Sequence, residues 1–506
     1  MTRRAPALFL FLFLGFATGG LRAQTVSVTT PLGGDPLIVE GFRGEEGTSR
    51  LFSYTLDFAA ARGRDVPFDT FLGKDVTVTV TLPNGTVRHF NGIVSRFAAG
   101  RLDTRAHYQM EIAPKFWLLT RRVTSRVFED ESVPQIVARI LGSIPGLAFD
   151  LRLAGVFPER RYVVQHNETD FDFISRLMED EGIFYFFQHA PGGHVMVVAN
   201  SPAGAPDLPG MHVFRPGLFL PPPPGSVTAW EKTQEIRSGK VTLRDHTFQV
   251  PDEDFEAVAT IQESVMAGAV EHHLAAGAEG LEVFDYPGDY AQRFDGIDPG
   301  GAERPAELSK IFPESQRVAA IRMQEEAAKA LVIHGESTAP DLAPGHLMTL
   351  GGVMTQFNGK YLVTGVTHKY TPGSTGSAGY RNTFTCIPAG LPYRPPRITP
   401  KPRLPGLETA VVIAPPGEEV FIDKYARVKV KFPWMPKEPV PGGGSSSCWV
   451  RVSSPWAGAG AGTGSGPVIL PRVGWEVLVA FEGGDPDKPI IVGSVYNADH
   501  PPPLER

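Results

Sequence analysis

Only two cysteines, Cys386 and Cys448, occur in the 506 residues. A pair so far apart excludes a disulfide framework and any cysteine-based zinc spacing, so both thiols are expected inside strands as small buried side chains. The chain also lacks an excess of positive charge. Its net charge of -7 gives no global attraction to nucleic acid or anionic lipid. Signatures of common catalysts are missing too: there is no Gly-x-Ser-x-Gly elbow, no His-Glu-x-x-His and no Walker-type loop. The run "GAGAGTGSG" (458–466) has glycine at every second place and never forms the dinucleotide pattern, which points to a mobile loop. His272 and His273 are adjacent, so on a helix they diverge and share no metal.

What is present favours many short strands. With 55 glycines and 47 prolines, turns are plentiful, while 42% hydrophobic and 20% charged residues are ordinary for a folded protein. The length suits about three domains. The stretch "DVTVTVTLPNGTVRHFNGIV" (75–94) alternates, turns at Pro83-Asn84-Gly85 and alternates again, which is a hairpin. In "DESVPQIVARILGSIPG" (130–146) the period changes: Val133, Ile136, Val137, Ile140 and Leu141 fall at helical spacing. A second helix is expected in "NETDFDFISRLMEDEGIFYFF" (167–187), capped by Thr169 or Asp170 and stopped by Gly182, with Glu179, Asp180 and Glu181 as a solvated turn. A third is expected in "SQRVAAIRMQEEAAKALVIHG" (315–335).

The proline-rich segment "PAGLPYRPPRITPKPRLPG" (388–406) reads as an extended, semi-rigid connector outside any core. Residues 407–500 then carry five or so short strands, the pattern of a small Greek-key barrel of the OB type. The expected division is a leader at 1–24, a β-barrel region with helical inserts at 25–390, a linker at 391–406, the small barrel at 407–500 and a tail at 501–506. The fold class is mainly β with small α inserts. In the leader, Arg3 and Arg4 precede an apolar run from Ala7 to Phe16, the length of a signal-peptide core but short of a membrane span. A start codon assigned too early gives the same pattern, with the folded protein beginning near Thr25.

One strand of the small barrel, "YARVKVKF" (425–432), points Arg427, Lys429 and Lys431 one way, with Trp434, Trp449 and Trp456 near it in sequence. OB barrels bind single-stranded nucleic acid with such faces. The acidic net charge favours the other reading, a face docking another domain or subunit, for which Arg427, Lys429, Lys431, Trp449 and Trp456 are the candidate residues. No catalytic, cofactor-binding or metal-binding residue is singled out.

Several ordered blocks resemble VgrG, the tip protein of type VI secretion systems, itself similar to the hub and spike proteins of contractile phage tails. They include "TTPLGGDPLIVEGFRGEEGTSRLFSYTLDF" (29–58), "RYVVQHNETDFDFISRLMEDEGIFYFFQH" (161–189), "EVFDYPGDY" (282–290), "NGKYLVTGVTHKY" (358–370) and "RNTFTCIPAGLPYRPPR" (381–397). The likeness is densest in "KYARVKVKFPW", "SSCWVRVSSPWAG" and "LPRVGWEVLVAFEGGDPDKPIIVGSVYN".

The resemblance implies a homotrimeric hub of β-barrel domains followed by an OB-fold neck. It implies seating on an Hcp-type tail tube among baseplate proteins, no cofactor, assembly from the cytoplasm and delivery outside the cell, although the leader keeps periplasmic export open. A PAAR-type tip cap, a separate needle chain and effectors or adaptors come into range as partners, and nucleic acid does not. The alternative is an exported hydrolase on a β scaffold. Two local departures stand out: the family usually has Gly where Ala426 stands, and an acidic-basic pair where this chain has Met435-Pro436. The family also continues into a long β-helix needle of which this sequence shows no repeat, so "PPPLER" stands where the needle is expected, and a needle supplied in trans or a shortened copy with a weaker trimer follows as an expectation.

Overall fold

Alternating apolar and threonine side chains in Asp75–Thr81 and Val87–Leu102 pair as an antiparallel hairpin, with Val78 opposite Phe90. The computed structural model describes residues 24–33, 37–60, 66–102, 105–216, 223–352, 354–373, 379–435, 447–459 and 464–504. The expected leader, save Gln24, and Pro436 lie outside the described residues.

The hairpin belongs to a 12-stranded sheet. Six of its strands run antiparallel in the spatial order Thr25–Thr29, Asp75–Thr81, Val87–Leu102, Ala106–Ala113, Ser53–Ala60 and Ile38–Gly47. The last of these pairs with Gly359–Thr371. From there the sheet continues through Leu347–Gly352, His212–Phe214, Ser226–Gln234, Leu331–Ser337 and Gly379–Pro388, and this final strand pairs back onto Gly359–Thr371. Six strands thus close into a barrel. Closure removes the free edges that an open sheet exposes.

Among the described residues, three α-helices lie against this framework. Helix α1 (Val133–Gly142) buries Val133, Ile136, Val137, Ile140 and Leu141, the stripe its 3.6-residue spacing requires. Helix α2 (Asp170–Asp180) starts at Thr169, whose hydroxyl accepts the Asp172 amide at 2.9 Å. It ends at Gly182, whose φ of +65° suits glycine, with the Ile183 amide returning to the Met178 carbonyl at 2.8 Å. Helix α3 (Ile311–Ala327) begins earlier and stops sooner than its sequence suggests. The β-branched and aliphatic run after Ala330 instead forms the barrel strand Leu331–Ser337. His272 and His273 lie not on a helix but in the hairpin strand Val270–His273.

The C-terminal unit is a five-stranded sheet in the order Lys429–Lys431, Glu408–Ile413, Glu476–Phe481, Pro489–Val495 and Arg451–Val452. A bridge between Val428 and Val450, with amide-to-carbonyl distances of 3.0 and 2.8 Å, joins its two outer strands into a small barrel. Cys386 is buried in Gly379–Pro388. Cys448 departs from expectation: it is half-buried and precedes the bridge rather than lying in a strand.

One ribbon, Val123–Glu131 paired with Arg160–Thr169, contributes side chains to the cores of both units. Side chains on a strand alternate between faces. Phe128 and Val163, opposite each other, join the apolar core of the first six strands and α1 and α2. Their neighbours Val127, Tyr162 and Val164 point the other way and complete the core of the small barrel with Val412, Val430, Val477 and Phe481.

Candidate functional site: the charged joint between the barrels

Polar groups cross the same boundary as the ribbon. Arg427 leaves the small barrel and forms a bidentate pair with Asp295 of the first region, Nη1 and Nη2 each donating at 2.9 Å. Its Nε donates to Asp423 at 2.6 Å, and Asp423 also accepts the Arg427 amide at 2.9 Å. Burial disfavours the charged guanidinium, but Asp295 and Asp423 outweigh it and raise its pKa. The turn that permits this runs through Ala426 at φ +57°, a left-handed conformation that glycine adopts without strain and alanine does not.

Trp449 donates its indole N–H to the Asp298 carbonyl at 2.7 Å, and the Lys429 ammonium sits 5.5 Å from the Trp449 ring centre. Burial lowers the Lys429 pKa. Lys431 lies at the end of its strand and is half-buried. Trp456 lies apart, 68% exposed. The face read from the sequence as one basic stripe is therefore divided: Arg427 and Lys429 are buried between the units, which removes the charged groove that the nucleic-acid reading needs.

The proline-rich segment 391–406 has neither helix nor strand, yet it is strapped down rather than excluded from the core. Leu391 is fully buried, and Tyr393 packs edge-on against Phe184. Arg394 donates to the Gly182 carbonyl at 2.9 Å and to the Asn200 carbonyl at 2.7 Å. A Cβ at residue 182 would meet the Arg394 side chain at 2.8 Å, a second reason for glycine there. Further on, Lys401 donates to Asp485 at 2.6 Å and Asp487 at 2.7 Å, while Asp487 accepts the Val164 amide of the ribbon at 2.7 Å. Strap, ribbon and small barrel meet at these carboxylates.

The acidic cluster at the end of α2 corrects the solvated turn expected there. Glu181 is 2% exposed and accepts from Arg160 at 2.5 Å and Arg317 at 2.5 Å. Arg293 stands 3.5 Å from Glu181 and 2.6 Å from Glu314. Burial alone raises a carboxyl pKa, but Arg160, Arg293 and Arg317 bring Glu181 down to about 2. Asp180 is likewise held below the usual range, against the effect of burial, by Arg322, Arg160 and Arg293. Glu179 accepts the amides of Ile398 and Thr399 in the strap at 3.1 and 2.9 Å. Cations supplied by distant segments turn a run of acids into a fastening.

A second buried network pins the seam between the two halves of the large sheet. Glu46 accepts from Arg88 at 2.9 Å and from Tyr54 at 3.1 Å, and lies 2.7 Å from His368 Nε2, whose Nδ1 meets the Tyr380 hydroxyl at 2.6 Å. Burial works against the Glu46 charge, yet Arg88 and the two histidines keep its pKa well below the usual range. Glu46 is 7% exposed and His368 is fully buried. Among the described residues, no group of three or more His, Cys, Asp or Glu is placed to hold a metal ion. These arrangements can hold segments in register, and their acids are occupied by structural partners.

Comparison with known proteins agrees with this architecture. Residues 45–374 match the family model of the phage tail baseplate hub (GPD), and residues 422–496 match that of the type VI secretion system/phage-baseplate injector OB domain. The chain is 36% identical to the type VI secretion system spike protein VgrG1a of Pseudomonas aeruginosa, covering 95% of this chain and 71% of that protein. It is 35% identical to VgrG1b of the same organism, covering 96% of this chain and 62% of that longer protein. A solved E. coli protein, described as a component of the type VI secretion system similar in structure to T4 bacteriophage tail proteins gp27 and gp5, superposes with a TM-score of 0.63 at 21% identity. That match covers 93% of this chain and all of the other.

Proposed function

The chain belongs to the VgrG spike family of type VI secretion systems, and on that premise we propose that it serves as the hub and neck of a contractile injection tip. In this reading three copies form the hub, sit on an Hcp-type tail tube within a baseplate, and carry a spike, effectors or adaptors out of the cell after assembly from the cytoplasm. The domain division follows the same lines, with a hub at 25–390, a strap at 391–406 and a neck at 407–500. Its work is mechanical and it performs no catalysis of its own.

The observation that carries the proposal is the shared ribbon. Thrust delivered to the hub must reach the neck without bending at the joint. A linker of independent domains flexes, whereas here Val127, Tyr162 and Val164 of the hub complete the neck's own core. The buried pair Arg427–Asp295 and the strap contacts fix its orientation. Self-association is supported by large apolar side chains left exposed on the neck: Trp456 at 68%, Val468 at 73%, Ile469 at 64% and Tyr496 at 65%.

Light scattering coupled to size exclusion, over a concentration series, tests the assembly. A mass of three chains at micromolar concentration, with co-sedimentation on preformed tail tubes, is the expected result. A strict monomer that ignores the tube overturns the proposal.

A further inference from the structure

The hairpin strand Val270–His273 is tied to the barrel strand Ser226–Gln234 by side-chain hydrogen bonds. Lys232 and Gln234 are two positions apart on the barrel strand and so share a face. Gln234 settles where the protons lie. Its Nε2 donates to the His273 carbonyl at 2.8 Å, an atom that only accepts, so Oε1 is the amide atom turned to His272 Nδ1, 2.9 Å away. Nδ1 therefore carries the ring proton and donates it. Nε2 keeps its lone pair and accepts from Lys232 Nζ at 3.1 Å.

Among the described residues no carboxylate pairs with Lys232. The acids nearest in sequence are turned elsewhere: Glu271 accepts from Ser264 at 2.6 Å and Glu235 from Arg237 at 3.1 Å, while Glu231 takes the opposite face of the strand. The Lys232 ammonium instead lies 5.5 Å from the Phe357 ring centre. Burial lowers its pKa, and burial together with Lys232 lowers that of His272. Lys232 and His272 are half-buried and Gln234 and His273 are exposed, so the group lies at the surface.

A weak nucleophile is activated where a base stands within hydrogen-bond reach and a third group orients that base. We propose that Lys232 is a covalent modification site that accepts acyl groups from thioesters, with His272 as its base and Gln234 as the residue that positions the base. The unprotonated share of Lys232 attacks the thioester carbonyl carbon, and the N–C bond forms. The surplus proton on the nitrogen passes to His272 Nε2, the C–S bond breaks, and the departing thiolate takes that proton away. A histidine held neutral is the form able to receive it. The amide product has no charge to place over Phe357, so acylation weakens the tie between hairpin and barrel.

The test uses the full chain and the acetyl thioester of N-acetylcysteamine at neutral pH, with the initial rate of acetylation at each lysine read by peptide mass spectrometry. Lys74 and Lys369 are exposed and serve as references in the same sample. Lys232 is expected to react roughly tenfold faster than either. H272Q keeps a hydrogen-bond acceptor but no base, and it is expected to lose that advantage while the rates at Lys74 and Lys369 stay unchanged. Circular dichroism melts establish that the variant folds. A Lys232 acetylated no faster than Lys74 and Lys369 overturns the proposal, and this comparison needs no variant. So does an H272Q protein that folds and keeps the parent rate at Lys232.

Discussion

Arg427 and Asp295 are 132 positions apart in the chain, yet they meet in a bidentate ion pair with side chains 4% and 8% exposed. A buried pair of this kind is weak evidence for stability, because desolvation offsets its attraction. Its value is orientation: a planar fork fixes one barrel on the other in a way that apolar contact alone does not.

Removing one partner strands the other. Arg427→Ala leaves Asp295 and Asp423 buried without their cation, and a loss of about 3–5 kcal/mol is expected. Urea unfolding of R427A checks the magnitude. In R427A/D295A the combined loss should fall well short of the sum of the single losses, because each single variant already breaks the same pair.

Ala426 tests the turn beneath that pair. Its left-handed backbone costs an alanine about 1–2 kcal/mol that glycine avoids, less what glycine loses through its freer unfolded chain. Ala426→Gly is therefore expected to stabilise by about 0.5–1 kcal/mol. Ala426→Val, with a β-branched side chain at the same φ, is expected to destabilise by more than that. Thermal melts of the two variants decide the sign.

Acid weakens the protein in two stages. Burial, with His189 and Lys115 nearby, lowers His194 to about 3, and burial with Arg88 lowers His346 to about 4. Both rings stay neutral in the fold while the unfolded chain binds protons from pH 6.5 downward. Stability therefore falls as pH drops from 6.5, by on the order of 2 kcal/mol per histidine by pH 5. Glu181 adds the second stage. Its stabilisation is complete above its unfolded value of 4.5 and is lost as pH falls toward about 2. Melting temperatures from pH 8 to pH 3 should show the first decline setting in near pH 6.5, well above the range in which the Glu181 contribution is lost. His194→Gln and His346→Gln should flatten it.

The ribbon makes a prediction of its own. Val164→Ala removes apolar volume from the neck core and Val163→Ala from the hub core, each costing about 2 kcal/mol. Because both residues belong to one strand pair, either change should loosen both barrels. Limited proteolysis of each variant should release hub and neck fragments together, not one before the other.

Much of this fold was legible in the sequence, since local rules set it. The stripe of α1, the Thr169 cap, the Pro83-Asn84-Gly85 turn and the strand pattern of the small barrel all depend on neighbours within a few positions. The joint was not legible. Glu181 looked solvated because its partners Arg160, Arg293 and Arg317 lie 21, 112 and 136 positions away. Burial of Arg427 likewise depends on a carboxylate supplied by another domain. The third helix was misplaced because Leu331, Val332 and Ile333 fit either a helix or a strand, and barrel closure chose the strand. One signal lay in "PYRPPRITPKPRLPG", where Arg394 and Arg397 sit beside prolines that hold the backbone extended and both reach hub groups, Arg394 the Gly182 carbonyl and Arg397 the Glu325 carboxylate.

The central claim, that hub and neck behave as one rigid body, is tested most directly by native-state hydrogen exchange of the full chain, read by mass spectrometry. Peptides over Glu408–Ile413 and Glu476–Phe481 of the neck and over Val123–Glu131 and Arg160–Thr169 of the ribbon should open with free energies equal to within about 1 kcal/mol. Neck peptides that exchange several kcal/mol more easily than the ribbon would contradict it, and would make the neck a separately folding domain on a flexible mount.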